Sequence, residues 1–94
     1  VPERGVYAIS VAAEMVSMEI QNLRVYERRG LVAPARTAGG TRRYSAADIV
    51  RLHRIRDLLA EGLNLAGVAR VLELEHEVAR LRADNQRLRR AKRG

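Results

Sequence analysis

Three features of this 94-residue chain predict a mainly α fold: a winged helix-turn-helix domain with a small β-hairpin wing, followed by a C-terminal dimerisation helix of coiled-coil type. Two short helical stretches meet across a tight turn at residues 17–19. A Gly39-Gly40 pair flanked by arginines follows them directly. An apolar heptad then runs through residues 71–88. The expected division is a winged domain over residues 6–72 and a dimerisation helix with a basic tail over 73–94.

The elements follow in order. Val6-Tyr-Ala-Ile9 is a short apolar lead-in, and Ser10 is a good N-cap for a brief helix over 11–16, with Val11, Met15 and Val16 on one side. Ser17-Met18-Glu19 reads as the turn. A second helix over 20–29 points Leu23 and Tyr26 inward and Gln21, Arg24 and Arg28 outward. Gly30 suits the left-handed position that ends such a helix. Two short helices joined in this way are the helix-turn-helix signature. Gly-Gly between short β-tolerant runs signals a hairpin, because both glycines accept positive φ. Ser45-Ala-Ala-Asp48 resembles a capping box. Ile49, Leu52, Ile55, Leu58 and Leu59 then mark one face of a helix that Gly62 ends. Asn64 caps a short helix carrying Leu65, Val68, Val71 and Leu72. Beyond it, Val71, Val78 and Asn85 occupy heptad position a and Leu74, Leu81 and Leu88 position d. The run at 89–93 has lost its apolar stripe and is expected to fray.

Composition narrows the function. The chain has no Cys, which excludes disulfides, thiol catalysis and thiolate metal sites. Phe and Trp are also absent, so the core must be built from Leu, Val, Ile, Ala and three Tyr. A chain this short buries only about 60–65% of its unfolded surface, so association with a partner is an expected supplement. No apolar run approaches the ~20 residues a bilayer span needs. The formal net charge is +7, and seventeen of the eighteen cations are Arg, whose planar fork suits phosphate. That charge is unevenly placed. Residues 24–56 hold nine Arg against Glu27 and Asp48, and residues 80–94 hold seven cations against Asp84, whereas 1–23 and 57–79 are net acidic. A soluble intracellular polyanion binder is expected, with the central block as its nucleic-acid face.

Catalysis finds no support. His53 and His76 lie on separate predicted helices, and no nucleophile, H-E-x-x-H or P-loop spacing is present. Glu75-His76-Glu77 points to different helix faces, so neither a metal nor a cofactor is expected. The chain reads as a binding protein rather than an enzyme.

The nucleic-acid reading assigns roles. A recognition helix needs short polar or amide groups where it meets base edges and cations further along for phosphates. Gln21 and Asn22 fit the first role, since amides pair bidentately with adenine. Arg24 and Arg28 fit the second. Tyr26 either packs in the core or sets its hydroxyl on a phosphate. In the wing, Arg36, Arg42 and Arg43 surround a glycine tip that lets backbone approach the duplex. Tyr44 either anchors the hairpin or touches the DNA backbone. Arg51 and Arg54 are placed to extend the phosphate track.

The order of these residues resembles the MerR family of bacterial transcriptional regulators. The resemblance covers about residues 7–75. It is carried by Ile9-Ser-Val-Ala-Ala13, Leu23-Arg24-Val-Tyr26-Glu27, Gly30-Leu31-Val32 with Pro34 and Arg36, and Arg42-Arg43-Tyr44-Ser45 with Asp48-Ile49. Arg36-Thr37-Ala38-Gly39-Gly40 and Gly62-Leu63-Asn64-Leu65-Ala66-Gly67-Val68 look like its heat-shock-repressor subgroup. The sequence departs from common family residues at Ile20, Asn22 and Val25, and from the subgroup at Thr41. The resemblance implies a homodimer held by the C-terminal helix and acting in the bacterial cytoplasm, associated with the nucleoid, at inverted-repeat operators in double-stranded DNA. It places Arg24, Tyr26, Arg43 and Tyr44 on DNA-contact positions. It also raises an Hsp70-class chaperone as a co-regulator.

The dimer seam of Leu74, Val78, Leu81, Asn85 and Leu88 carries a conflict. Val at a, Leu at d and one Asn at a favour a parallel pair, as do Glu77 with Arg82 and Asp84 with Arg89 across the seam. The family resemblance implies an antiparallel one, and that is the orientation expected here. The overall expectation is a repressor of stress or heat-shock genes. The alternatives are an excisionase-like architectural DNA-binding protein and a coiled-coil adaptor that recruits a protein partner.

Overall fold

The computed structural model describes residues 5–93. Its elements are β1 (Gly5–Tyr7), α1 (Ile9–Met15), α2 (Ile20–Arg28), β2 (Ala35–Arg36), β3 (Arg42–Ser45), α3 (Ala46–Ala60) and α4 (Leu65–Arg93). The chain divides into two compact units between Glu61 and Gly62, ahead of the division expected at residues 72 and 73.

In the first unit both helices of the helix-turn-helix end in the same hydrogen-bonded motif. After α1, the Met18 N–H donates to the Ala13 carbonyl (3.0 Å) and the Ser17 N–H to that of Glu14 (3.2 Å). After α2, the Leu31 N–H donates to Tyr26 (2.9 Å) and the Gly30 N–H to Glu27 (2.9 Å). Each pair satisfies carbonyls left open at a helix end and needs one left-handed residue between them. Gly30 supplies it at φ 74° without cost, whereas Ser17 does so at φ 54°, where a side chain costs roughly 1–2 kcal/mol.

The start of the domain differs from expectation. Helix α1 begins at Ile9 with Ala8 as its N-cap and no side-chain cap. Ser10 therefore lies inside the first turn, because the preceding strand delivers the chain into the helix earlier than a capping residue would. The buried face of α1 is also different. Ala12, Ala13 and Val16 are buried, while Val11 and Met15 stay 44% and 42% exposed. Small side chains shorten the distance at which two helices can pack, so the two alanines join Val16 on the inward face while Val11 and Met15 stay outside.

Residues Gly5–Tyr7 form a strand that the sequence alone did not predict. It pairs antiparallel with β3, matching Gly5 to Ser45 and Tyr7 to Tyr44 with an irregularity between them, and the sheet order is β1-β3-β2. A Cβ at Gly5 would sit 2.6 Å from the Arg43 carbonyl oxygen and 2.7 Å from its Cβ. Backbone cannot yield as a side chain can. Gly5→Ala is therefore expected to cost about 1–3 kcal/mol through overpacking, read as a lowered urea midpoint. An unchanged midpoint would show that this strand contributes nothing to stability.

Strands β2 and β3 form the wing, pairing Ala35 with Arg43 and Arg36 with Arg42. The Thr37 N–H donates to Thr41 (2.8 Å) and the Gly40 N–H to Thr37 (2.9 Å). Of the two tip glycines only Gly40 has positive φ, at 85°. This is a three-residue hairpin loop closed by one left-handed residue, so Gly39 does not need the freedom expected of it.

The capping box at α3 is present as expected. The Ser45 N–H donates to Asp48 Oδ2 (2.9 Å), and the Asp48 N–H donates to Ser45 Oγ (3.0 Å). Ile49, Leu52, Ile55 and Leu58 are buried along this helix, with Leu59 at the margin. With no Phe or Trp available, Tyr44 is the largest fully buried side chain, alongside Leu23, Leu52, Ile55 and Val16 in this unit.

The second unit is one helix of 29 residues. The Asn64 side chain caps it by accepting from the Gly67 N–H (2.8 Å), as expected. The short helix and the heptad helix expected after it are continuous, since no proline or helix-ending glycine separates them. The run 89–93, expected to fray, is helical to Arg93. Basic residues in a last turn oppose the negative end of the helix dipole.

Candidate nucleic-acid interface

Helix α2 presents Gln21, Asn22, Arg24 and Arg28 to solvent. Leu23 is fully buried and Tyr26 is 5% exposed, so this face of the helix is held by apolar packing while the polar face stays open. Among the described residues no side-chain hydrogen bond or ion pair engages the guanidinium of Arg24, Arg28 or Arg43. These three guanidiniums are available to an incoming anion.

The other two wing arginines are not. Arg36 Nη2 lies 2.7 Å from Glu27 Oε2, and Arg42 Nε bonds the other oxygen of the same carboxylate. Arg36 Nη1 also donates to the Gly40 carbonyl at 2.9 Å. Glu27 sits on α2, so one carboxylate ties both strands of the wing to that helix. Burial alone would raise the Glu27 pKa, but hydrogen bonds and charge from Arg42 and Arg36 outweigh it and hold the carboxyl below its ordinary value of 4.5. The Glu27 hydrogen bond correspondingly raises the pKa of Arg42.

A depressed carboxylate pKa stabilises the fold above its unfolded value, and the contribution disappears as pH falls through the folded one. The stabilisation from the wing attachment is therefore complete at neutral pH and is lost in acid, as the pH falls past the ordinary carboxyl range and through the lowered value of the folded carboxyl. Chemical denaturation as a function of pH should show a shallower acid loss for Glu27→Gln than for the parent. Identical curves would mean that the carboxylate does not carry this dependence.

Tyr44, assigned to DNA on resemblance and left open on its own residues, is fully buried. Its hydroxyl is the only buried side-chain polar atom without a partner among the described residues. Burial raises its pKa first, and the Glu27 charge adds to that. Tyr44 thus anchors the hairpin and offers nothing to an external ligand. Tyr26 also has a pKa raised by burial, but its hydroxyl is not an enclosed orphan. Arg51, expected on the phosphate track, turns its Nε onto the Leu31 carbonyl, and Arg56 Nη1 holds the Val16 carbonyl at 2.9 Å. Both cap backbone left open after the helices of the motif.

Glu27 was missed by sequence reasoning, although a signal existed. Only two acids lie within the nine-arginine block. The capping box accounts for Asp48, which leaves Glu27 as the one acid of that block with no local role.

Along α4, Leu74, Val78, Leu81 and Leu88 are 42%, 43%, 51% and 66% exposed, and Asn85 is exposed beside them. Asp84 is engaged within its own helix by Arg87 (2.9 Å) and Arg80 (3.7 Å). Among the described residues no cluster of three or more His, Asp or Glu could hold a metal ion, and no helix is long and apolar enough to cross a membrane.

Comparison with known proteins bears on this arrangement. The model of the MerR HTH family of regulatory proteins matches residues 7–75. The chain belongs to the MerR family. A Streptomyces coelicolor protein named "Putative heat shock protein HspR" is 54% identical over 79 residues, spanning 83% of this chain and 52% of that protein. The HTH-type transcriptional regulator GlnR of Bacillus anthracis is 38% identical over 66 residues, 70% of this chain and 51% of its own. The chain thus spans about half the length of the curated relatives it matches. Among solved structures, the MerR-family regulator HiNmlR bound to promoter DNA superposes with a TM-score of 0.66 over 89% of this chain and 76% of that one. At 23% identity it shows the shared fold. PbrR691 from Ralstonia metallidurans, in complex with lead(II), gives a TM-score of 0.69 at 25% identity, covering 94% and 81%. This MerR-family domain shares the winged helix-turn-helix fold of those structures.

Proposed function

We propose that the chain is a DNA-binding transcriptional regulator that represses stress or heat-shock genes as a cytoplasmic homodimer on inverted-repeat operators. The observation that carries the DNA reading is the open polar face of α2, with Gln21, Asn22, Arg24 and Arg28 unobstructed beside a wing clamped to the same helix by Glu27. Gln21 and Asn22 read base edges. Arg24, Arg28 and Arg43 neutralise phosphates, with the Tyr26 hydroxyl beside them. Arg36 and Arg42 hold the wing in place. The heat-shock assignment rests on the 54% identity to the Streptomyces protein of that name. Residues 6–72 form the DNA-binding part, and 73–94 the dimerisation helix.

The charge of α4 favours the antiparallel orientation. Glu73, Glu75 and Glu77 precede a half that holds Arg82, Arg87, Arg89, Arg90, Lys92 and Arg93, so opposed helices set acid against base. The parallel alternative needs Asp84 for Arg89, and Asp84 already has two partners in its own helix. The test is titration of random duplex DNA at several salt concentrations, followed by genome-wide footprinting. Salt-dependent binding with protection of palindromes near promoters supports the reading. Binding insensitive to salt would reject it in favour of a protein-interaction adaptor.

A further inference from the structure

Five arginines lie on or beside the candidate interface, namely Arg24, Arg28, Arg36, Arg42 and Arg43, and Glu27 occupies two of them. Its side chain is only 18% exposed, whereas that of Arg36 remains 46% exposed and that of Arg42 27%. The carboxylate is therefore enclosed by its two partners, while they remain within reach of solvent. A phosphate arriving at the wing meets guanidiniums whose charge is already half cancelled, and it must compete with a carboxylate that cannot move away from the recognition helix.

We infer that Glu27 is a specificity-determining positioning residue that withholds Arg36 and Arg42 from DNA phosphates and so suppresses sequence-independent binding. This rests on the DNA-binding reading above. Phosphate contacts supply nearly all non-specific affinity and carry no sequence information. A site that reads bases with Gln21 and Asn22 gains discrimination when fewer cations contribute to binding on every sequence. The same carboxylate fixes the wing's angle to α2, so the two functions have one origin.

The experiment compares the whole chain with Glu27→Gln, Glu27→Asp and the triple variant Glu27→Gln with Arg36→Ala and Arg42→Ala. Random duplex and the best footprinted site are each titrated between 50 and 200 mM salt. Freeing two guanidiniums should raise the affinity of Glu27→Gln for random DNA. It should also steepen the salt slope by about 1 to 2, adding up to roughly tenfold to the loss across that range. The ratio of specific to random affinity should fall severalfold. Glu27→Asp keeps the charge and should keep the parental slope. The triple variant should return to it, which attributes the change to those two arginines. Thermal melts accompany each titration to separate a loosened fold from altered charge. A Glu27→Gln slope that is unchanged or shallower, with a lower melting temperature, would overturn the inference and leave Glu27 a purely structural tie. A parent that binds no duplex would overturn the DNA-binding reading, and this inference with it.

Discussion

Replacing Leu81 by aspartate is expected to give a folded monomer that binds a palindromic operator at least about 100-fold more weakly, the low end of what losing bivalency costs. Leu81 is 51% exposed in the single chain, so its replacement disturbs no packing within the protomer. In a paired helix it would place two charges at the centre of an apolar seam. Geometry supports the pairing. Two recognition helices must lie about 34–36 Å apart, one turn of DNA, or a multiple of it, to read inverted half-sites on one face. The 29 residues of α4 extend about 43 Å at 1.5 Å per residue, long enough to separate two domains by that distance when the helices run in opposite directions. Sedimentation of the variant together with titration on a palindrome and on a half-site decides the matter. A variant still dimeric at micromolar concentration would move the interface elsewhere.

Gln21→Ala and Asn22→Ala should each cost roughly 1–3 kcal/mol on the best operator, the value of a lost bidentate amide–base pair, while affinity for random duplex stays within experimental error. Both side chains are exposed on α2 and lie outside the apolar face that holds Leu23 and Tyr26, so stability should not change. The quantity to follow is the ratio of specific to random affinity at one fixed salt concentration. Equal losses on both DNAs would make these residues positioning groups and move base reading to other parts of the helix.

Much of the first unit could be read from its residues because the signals are local. The capping box of Ser45 and Asp48, the glycine after α2 and the three- to four-residue spacing of Leu23 and Tyr26 each lie within one or two helical turns. What escaped depends on distance along the chain. Strand β1 is three residues long and exists only because β3, some forty positions later, accepts it. The inward face of α1 could not be chosen by side-chain size, since the close fit selects alanine. The continuity of α4 was obscured by a change of pattern, from a packed helix to a heptad, that requires no change of backbone.

The candidate site divides in the same way. The outward residues of α2 follow from periodicity. The diversion of Arg36 and Arg42 to Glu27 spans nine and fifteen residues and is invisible to any local window. Tyr44 shows a related effect. Its place beside two arginines reads as exposed, but its register opposite Tyr7 in the sheet turns the ring inward.

The wing loop has a consequence for how such a protein changes over time. Its closure relies on Thr37, Gly40 and Thr41, with Gly40 alone committed to a conformation that other residues resist. Ala38 and Gly39 are exposed, and a Cβ at Gly39 would meet only the Thr37 hydroxyl, at 3.9 Å. Substitutions at these two positions are nearly free of folding cost, yet they lie at the point of the wing farthest from its anchoring pair. If the wing grips DNA as proposed, new charge or bulk acquired there would alter that grip without passing through an unstable ancestor. On the proposed function, the tip is thus an evolvable position on an otherwise constrained domain, able to drift toward new DNA targets while Glu27 and the core keep the scaffold unchanged.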